Sequence, residues 1–242
     1  MDVQNKTVIV TGASSGIGLA TARLLARKGA VLVLASRSKG RLEELAREIP
    51  GSLAVPADMT KVHEIKRMVE TAKAHFGGID ILINNAGQGY DAPIEKIDVD
   101  TFHYIFDLDV VGPVVAMQQV IPLMRKQGGG AIVNISSGVA LMYLPGMSAY
   151  SSLKRALASI SLTAREELKN DNIAVSVVYP YITLTDFEEK TIKASPSNQG
   201  EEEDTSPSKA DTAEYVAQKI LEAIETGEAE VFAHDWMKYP QG

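Results

Sequence analysis

Cysteine is absent from all 242 residues, which excludes disulfides, thiolate zinc sites and cysteine nucleophiles. There are only four histidines, His63, His75, His103 and His234. No two of them are three or four residues apart, so their spacing offers no metal site. Positive charge is also scarce. Twenty-four Lys and Arg stand against 31 Asp and Glu, a net charge of −7, which argues against nucleic acid or an anionic membrane as partner. No apolar run approaches the ~20 residues needed to cross a bilayer. Met1 to Lys6 leads straight into the first hydrophobic run, leaving no room for a signal peptide. The expectation is a cytoplasmic protein.

What is present is alternation. Thr7–Val10, Val31–Leu34, Ile79–Ile83, Ala131–Ile135 and Ala174–Val178 are short β-branched runs. They are almost continuously apolar, as parallel strands covered on both faces are. Ser52–Val55 and Glu230–Ala233 are weaker strand candidates. Helical patterns lie between them at Leu19–Lys28, Arg41–Glu48, Val114–Lys126, Ser151–Lys169 and Ala213–Thr226, and over Val62, Ile65, Val69, Ala72 and Phe76, which share one stripe. The pattern predicts one α/β domain over residues 1–242, a doubly wound parallel sheet of about seven strands flanked by helices. The segment 186–211 breaks this regularity with Pro196, Pro207 and the acidic run Glu201 to Asp204. A loop this long is expected to be a mobile substrate lid or a solvated stretch, and the two are compatible.

Two motifs carry chemistry. Gly12, Gly16 and Gly18, with Ser14, Ser15 and Ile17 among them, follow the first strand and open a helix. Glycines there let backbone N–H groups approach a pyrophosphate at a helix N-terminus. The second strand ends at Ser36-Arg37, where a carboxylate would hold the ribose hydroxyls of NAD(H). An arginine instead suits a 2′-phosphate, so NADP(H) is the preferred cofactor and NAD(H) the alternative. The second motif is Tyr150 and Lys154, one helical turn apart on one face, with Ser137 thirteen residues before Tyr150. An ammonium there favours the phenolate and lowers a phenol pKa from its usual ~10, towards general acid–base work near neutral pH.

These motifs, together with Ala57-Asp58-Met59, Asn84-Asn85-Ala86-Gly87 and Asn134-Ile135-Ser136-Ser137, make the chain resemble the short-chain dehydrogenases/reductases over almost its whole length. The resemblance implies a Rossmann fold and hydride transfer between a nicotinamide and a carbonyl or secondary alcohol. It implies that Asp58 contacts the adenine ring with Met59 beside it, that Asn85, Ala86 and Gly87 line the cofactor, and that Asn84 braces the sheet. Ser137 would hold the substrate carbonyl and Tyr150 would protonate it. Lys154 would hold the nicotinamide ribose and tune Tyr150. It also implies a homodimer or homotetramer, built in part on helices near 110–126 and 151–169.

Two positions depart from the family. Asp109 replaces the Asn of an Asn-x-x-Gly pattern in Asp109-Val110-Val111-Gly112, and is expected to alter the proton relay by opposing part of the effect of Lys154. Tyr181 replaces the glycine of a Pro-Gly pair in Pro180-Tyr181-Ile182-Thr183-Leu184-Thr185. It would narrow the pocket, stack near the nicotinamide or shift the loop. Thr183 and Thr185 would contact carboxamide and phosphates. Val139, Leu141, Met142, Tyr143, Leu144, Met147, Tyr181 and Phe187 form the expected apolar pocket wall. The rival reading is an NADP(H)-binding sensor or interaction protein with catalysis weakened by Asp109 and Tyr181.

Overall fold

The β-branched runs become the strands of one parallel sheet, because each can be covered on both faces by the helices that alternate with it. The computed structural model describes residues 1–185, 187–194 and 210–239. In chain order the first half comprises β1 (Thr7–Thr11), α1 (Gly16–Arg27), β2 (Val31–Ser36), α2 (Lys39–Glu48), β3 (Leu53–Pro56), α3 (Val62–Phe76), β4 (Ile81–Asn84) and the short β5 (Tyr90–Asp91). Then follow α4 (Val99–Phe106), a π-helical stretch Asp107–Val111, α5 (Gly112–Gln127), β6 (Gly130–Ile135), α6 (Ser148–Leu168) and β7 (Ile173–Tyr179). The C-terminal part holds β8 (Thr183–Leu184), α7 (Phe187–Lys190), β9 (Ile192–Lys193), β10 (Asp211–Thr212), α8 (Ala213–Thr226) and β11 (Glu230–Phe232).

Seven strands form the main sheet in the order β11-β7-β6-β4-β1-β2-β3, all parallel. This is the doubly wound architecture that the alternation predicts. Side-chain alternation divides the core between the two faces. Val8 and Val10 of β1 pack with Leu24 and Leu25 of α1 and Val216 and Ile220 of α8. Ile9 between them packs on the other face with Met68 and Val69 of α3 and Val120 of α5. The winding reverses between β1 and β4, and an open α/β sheet offers its ligand crevice beyond the strand ends at such a point.

Two sequence expectations need correction. The helix over Val99–Phe106 is missing from the sequence reading, and it runs on through the π stretch into α5. The continuous run Val99–Gln127 is 29 residues long, with a mean hydropathy of 1.3 in its most apolar window. By length and composition alone it is long enough to cross a membrane, contrary to the search for uninterrupted apolar runs. In the fold, 56% of that window is buried, with Val115, Val120 and Met124 in the core. Apolar residues spaced by polar ones escape a search for contiguous runs, yet they still make an apolar helix.

Candidate active site

The glycine loop has the geometry that a phosphate cradle requires. Gly12 and Gly16 adopt φ of +68° and +52°, the left-handed region that glycine enters without strain. A Cβ on Gly18 would lie 2.3 Å from the Gly12 carbonyl oxygen and 2.5 Å from Asn85 Nδ2, so α1 approaches the loop as closely as it does only because that atom is missing. Ser15 stands at the N-cap of α1 without a side-chain capping bond, which leaves first-turn N–H groups of the helix for an anion. Ser14 and Ile17 lie half-buried in the same loop. The cradle fits a pyrophosphate.

Thr11 is a pivot that sequence reading treats only as the end of a strand. Its hydroxyl donates to the Ile83 carbonyl at 3.2 Å and accepts from the N–H groups of Asn85 at 3.0 Å and Ala86 at 3.1 Å. Asn85 Nδ2 returns a bond to the Thr11 carbonyl at 2.9 Å. The Asn84 amide donates to Asn134 Oδ1 at 2.8 Å, and Asn134 donates on to Ser161 at 2.7 Å. These bonds join β1, β4, β6 and α6 and hold Asn85, Ala86 and Gly87 beside the cradle.

At the end of β2, Ser36 is buried and accepts from the Ser38 N–H at 3.1 Å. Arg37 is exposed and donates to the Tyr104 hydroxyl of α4 at 2.8 Å, a partner that sequence spacing gave no means of finding. Asp58 accepts from the N–H and the hydroxyl of Thr60, both at 2.9 Å. Met59 is buried against the start of α5, where a Cβ on Gly112 would meet its carbonyl at 2.4 Å.

The proposed catalytic side chains converge beyond β6. Tyr150 and Lys154 are buried on α6, with the Lys154 Nζ 5.7 Å from the Tyr150 ring centroid. Ser137 follows β6, and its hydroxyl, which accepts from the Val139 N–H at 3.4 Å, favours the Tyr150 phenolate. Lys154 donates to the Ile135 carbonyl at 3.1 Å, and Asp109 Oδ2 lies 3.0 Å from the same ammonium. Asp109 is wholly buried within the π stretch, and its Oδ1 accepts from the Gln88 N–H at 3.0 Å. The structure thus brings together Ser137, Tyr150, Lys154 and Asp109.

Their electrostatics correct one expectation. Burial pushes the Tyr150 phenol above its ordinary value. Lys154 draws it down, Asp109 raises it further and the Ser137 hydroxyl lowers it. Lys154 acts in the expected direction, but desolvation outweighs it. Burial lowers Lys154, yet the negative charges of Asp109 and Tyr150 overcome this, and its ammonium is held more firmly than usual. Burial raises the Asp109 carboxyl, opposed by Lys154 and by the Gln88 N–H. Such a cluster can hold a proton on the phenol and release it to an oxygen placed between Tyr150 and Ser137.

The C-terminal side differs from the expected pocket. Pro180 accepts from the Gly138 N–H at 2.7 Å. Tyr181 packs edge-on against Trp236 at 5.1 Å and His234 at 5.9 Å, and joins Leu141 beside Tyr179 and Met237 in a core cluster. It is Phe187 whose ring lies beside Tyr150, at 6.0 Å. Tyr143 is 86% exposed. Thr183 donates to the Tyr181 carbonyl at 2.8 Å, while a Cβ on Gly16 would touch Thr185 at 3.3 Å, so Thr185 reaches the cradle. Most of the 186–211 segment lies outside the described residues. Its described ends are paired, β9 with β5 and β10 with β8. Among the described residues no group of acids and histidines could hold a metal.

The profile of the short chain dehydrogenases matches residues 6–196. The chain belongs to the short chain dehydrogenase family. An uncharacterised oxidoreductase of Staphylococcus saprophyticus is 36% identical over 190 residues, covering 77% of each chain. A 3-oxoacyl-[acyl-carrier-protein] reductase of Thermotoga maritima is 34% identical over 194 residues, 78% of this chain and 79% of its own. In structure, this short chain dehydrogenase superposes on the 3-ketoacyl-(acyl-carrier-protein) reductase of Brucella melitensis, complexed with NADH, with a TM-score of 0.86. The two are 25% identical, over 96% of this chain and 98% of the reductase.

Proposed function

We propose that the protein is an NADP(H)-dependent oxidoreductase that moves a hydride between the nicotinamide and a carbonyl or secondary alcohol, with Tyr150 as the general acid or base. The observation that carries this reading is the buried Tyr150, one turn from Lys154 with the ammonium 5.7 Å from its ring centroid, beside a cradle that only glycine can form at Gly12 and Gly18. Gly12, Ser14, Ser15, Gly16, Ile17 and Gly18 would hold the pyrophosphate, with Asp58, Met59, Asn85, Ala86 and Gly87 along the adenosine side. Pro180, Thr183 and Thr185 would hold the nicotinamide end. The cofactor supplies the hydride. Ser137 orients the substrate oxygen, Tyr150 gives it a proton, and Lys154 steadies the phenolate left behind.

NADP(H) is preferred on the ground of Ser36 and Arg37, where no carboxylate repels a 2′-phosphate. The NADH bound to the Brucella relative makes NAD(H) the competitor to measure. Loss of reduced-nicotinamide absorbance is to be followed with NADPH and with NADH over a panel of ketones and aldehydes. Tyr150→Phe is expected to lower turnover by about a hundredfold or more, the scale of positioned acid catalysis. Full activity in that variant, or faster turnover with NADH, would overturn the corresponding half of the proposal. Tight NADPH binding with no turnover across the panel would favour the sensor reading.

A further inference from the structure

One buried charge has no task in that scheme. Asp109 is 0% exposed. Its Oδ1 is satisfied by the Gln88 N–H at 3.0 Å, while Oδ2 has no aligned hydrogen-bond donor and lies 3.0 Å from Lys154 Nζ. Gly87 closes over the pair. A Cβ there would fall 3.2 Å from Lys154 Nζ and 3.3 and 3.4 Å from the two carboxylate oxygens. The aligned bond of the ammonium goes to the Ile135 carbonyl at 3.1 Å, and the Tyr150 ring centroid lies 5.7 Å away. The cation therefore touches the carboxylate, and Asp109 holds it more strongly than Tyr150 does. Coulomb attraction falls with distance, and a wholly buried pair is little screened.

Tyr150 is acted on by Lys154 and Asp109, and by the Ser137 hydroxyl. Lys154 is acted on by Asp109 and Tyr150, and Asp109 by Lys154 with the Gln88 N–H. Among the described residues, no other charged side chain acts on these groups.

We propose that Asp109 is a positioning residue that competes with the Tyr150 phenolate for the Lys154 ammonium, so that Tyr150 exchanges its proton at a higher pH than it would beside a neutral side chain at 109. This deepens the proton-transfer reading above. The proton leaves the Tyr150 hydroxyl for the substrate oxygen, and the phenolate that remains shares its counter-ion with a carboxylate. Tyr150 accordingly stays protonated through the neutral range. It serves there as an acid, which suits carbonyl reduction, and becomes a base for alcohol oxidation only in alkali.

The test does not need turnover. Phenolate absorbance is titrated in the native protein and in Tyr150→Phe, and the difference isolates Tyr150. The same pair of titrations is made in the Asp109→Asn and Asp109→Ala backgrounds. Native Tyr150 is expected to ionise above the ordinary phenol value of ~10. Removing the carboxylate should move that ionisation towards acid by about one pH unit or more. Either variant decides the shift if the other fails to fold. Native ionisation at or below the ordinary value overturns the proposal, and so does an ionisation unmoved by loss of the carboxylate. In turnover, the alkaline fall of carbonyl reduction should begin about one unit lower in Asp109→Asn. A shifted titration in a protein without turnover would uphold Asp109 and sink the oxidoreductase reading. Turnover with an unmoved titration would do the reverse.

Discussion

The two ends of the crevice are built differently. At the cradle end, the loops after β1 and β4 are tied to each other by hydrogen bonds from the Thr11 and Asn85 side chains to backbone groups. Thr11 alone engages the Ile83 carbonyl and the N–H groups of Asn85 and Ala86, and Gly18 lets α1 approach to contact distance. Beyond β7, Tyr181, His234 and Trp236 hold the chain by ring packing, with β8 and β10 joined over only two residue pairs. Close backbone approach, as at Gly18, tolerates almost no added volume, whereas side-chain packing loses a contact at a time. A ligand part common to a whole family suits the first construction. A part that differs between members suits the second.

That contrast can be broken at three positions. Gly18→Ala should do most harm, because its Cβ meets the Gly12 backbone carbonyl, which cannot move aside without shifting the loop. The expected cost is about 1–3 kcal/mol of stability, the scale of overpacking, with a lower Tm and a weaker dinucleotide Kd. An unchanged Tm and Kd would show that the cradle is looser than its geometry implies. Tyr181→Ala should cost about 1–2 kcal/mol through two lost ring contacts, seen as a lower Tm with NADPH affinity kept. A large loss of affinity with no loss of stability would instead make Tyr181 a wall of the cofactor site. Tyr104→Phe should do least. It removes one hydrogen bond that orients Arg37, worth about 0.5–1 kcal/mol, and should weaken NADPH roughly threefold while sparing NADH. Arg37→Ala is the reference for a complete loss of that contact, and equal effects on both cofactors in Tyr104→Phe would sink the orienting role.

Legibility in the sequence follows the same division. Five of the seven main-sheet strands are legible as continuous apolar runs, because a strand covered on both faces must be apolar throughout, whereas β3 and β11, the two edges, are only weaker candidates in the sequence. The α8 pattern Ala213–Thr226 matches the observed helix end to end. Helix α4 was missed because its eight residues include Asp100, Thr101 and His103, and it borrows stability from the π stretch and α5 that continue it. Tyr181 was open to three readings, and ring packing against a segment more than fifty residues later in the chain selects none of the pocket roles. No local pattern encodes that contact. Phe187, by contrast, was placed in the pocket and does meet Tyr150.

The sequence by itself determined the alternating architecture, the glycine cradle and the pairing of Tyr150 with Lys154, since each rests on a local period, a short spacing or the absence of a side chain. Only the tertiary structure decided how the charges settle. Asp109 and Lys154 are 45 positions apart in the chain, yet they share a buried contact at 3.0 Å. Whether the ammonium lowers the phenol or is largely spent on the carboxylate depends on distance and desolvation, and neither is written in the order of the residues.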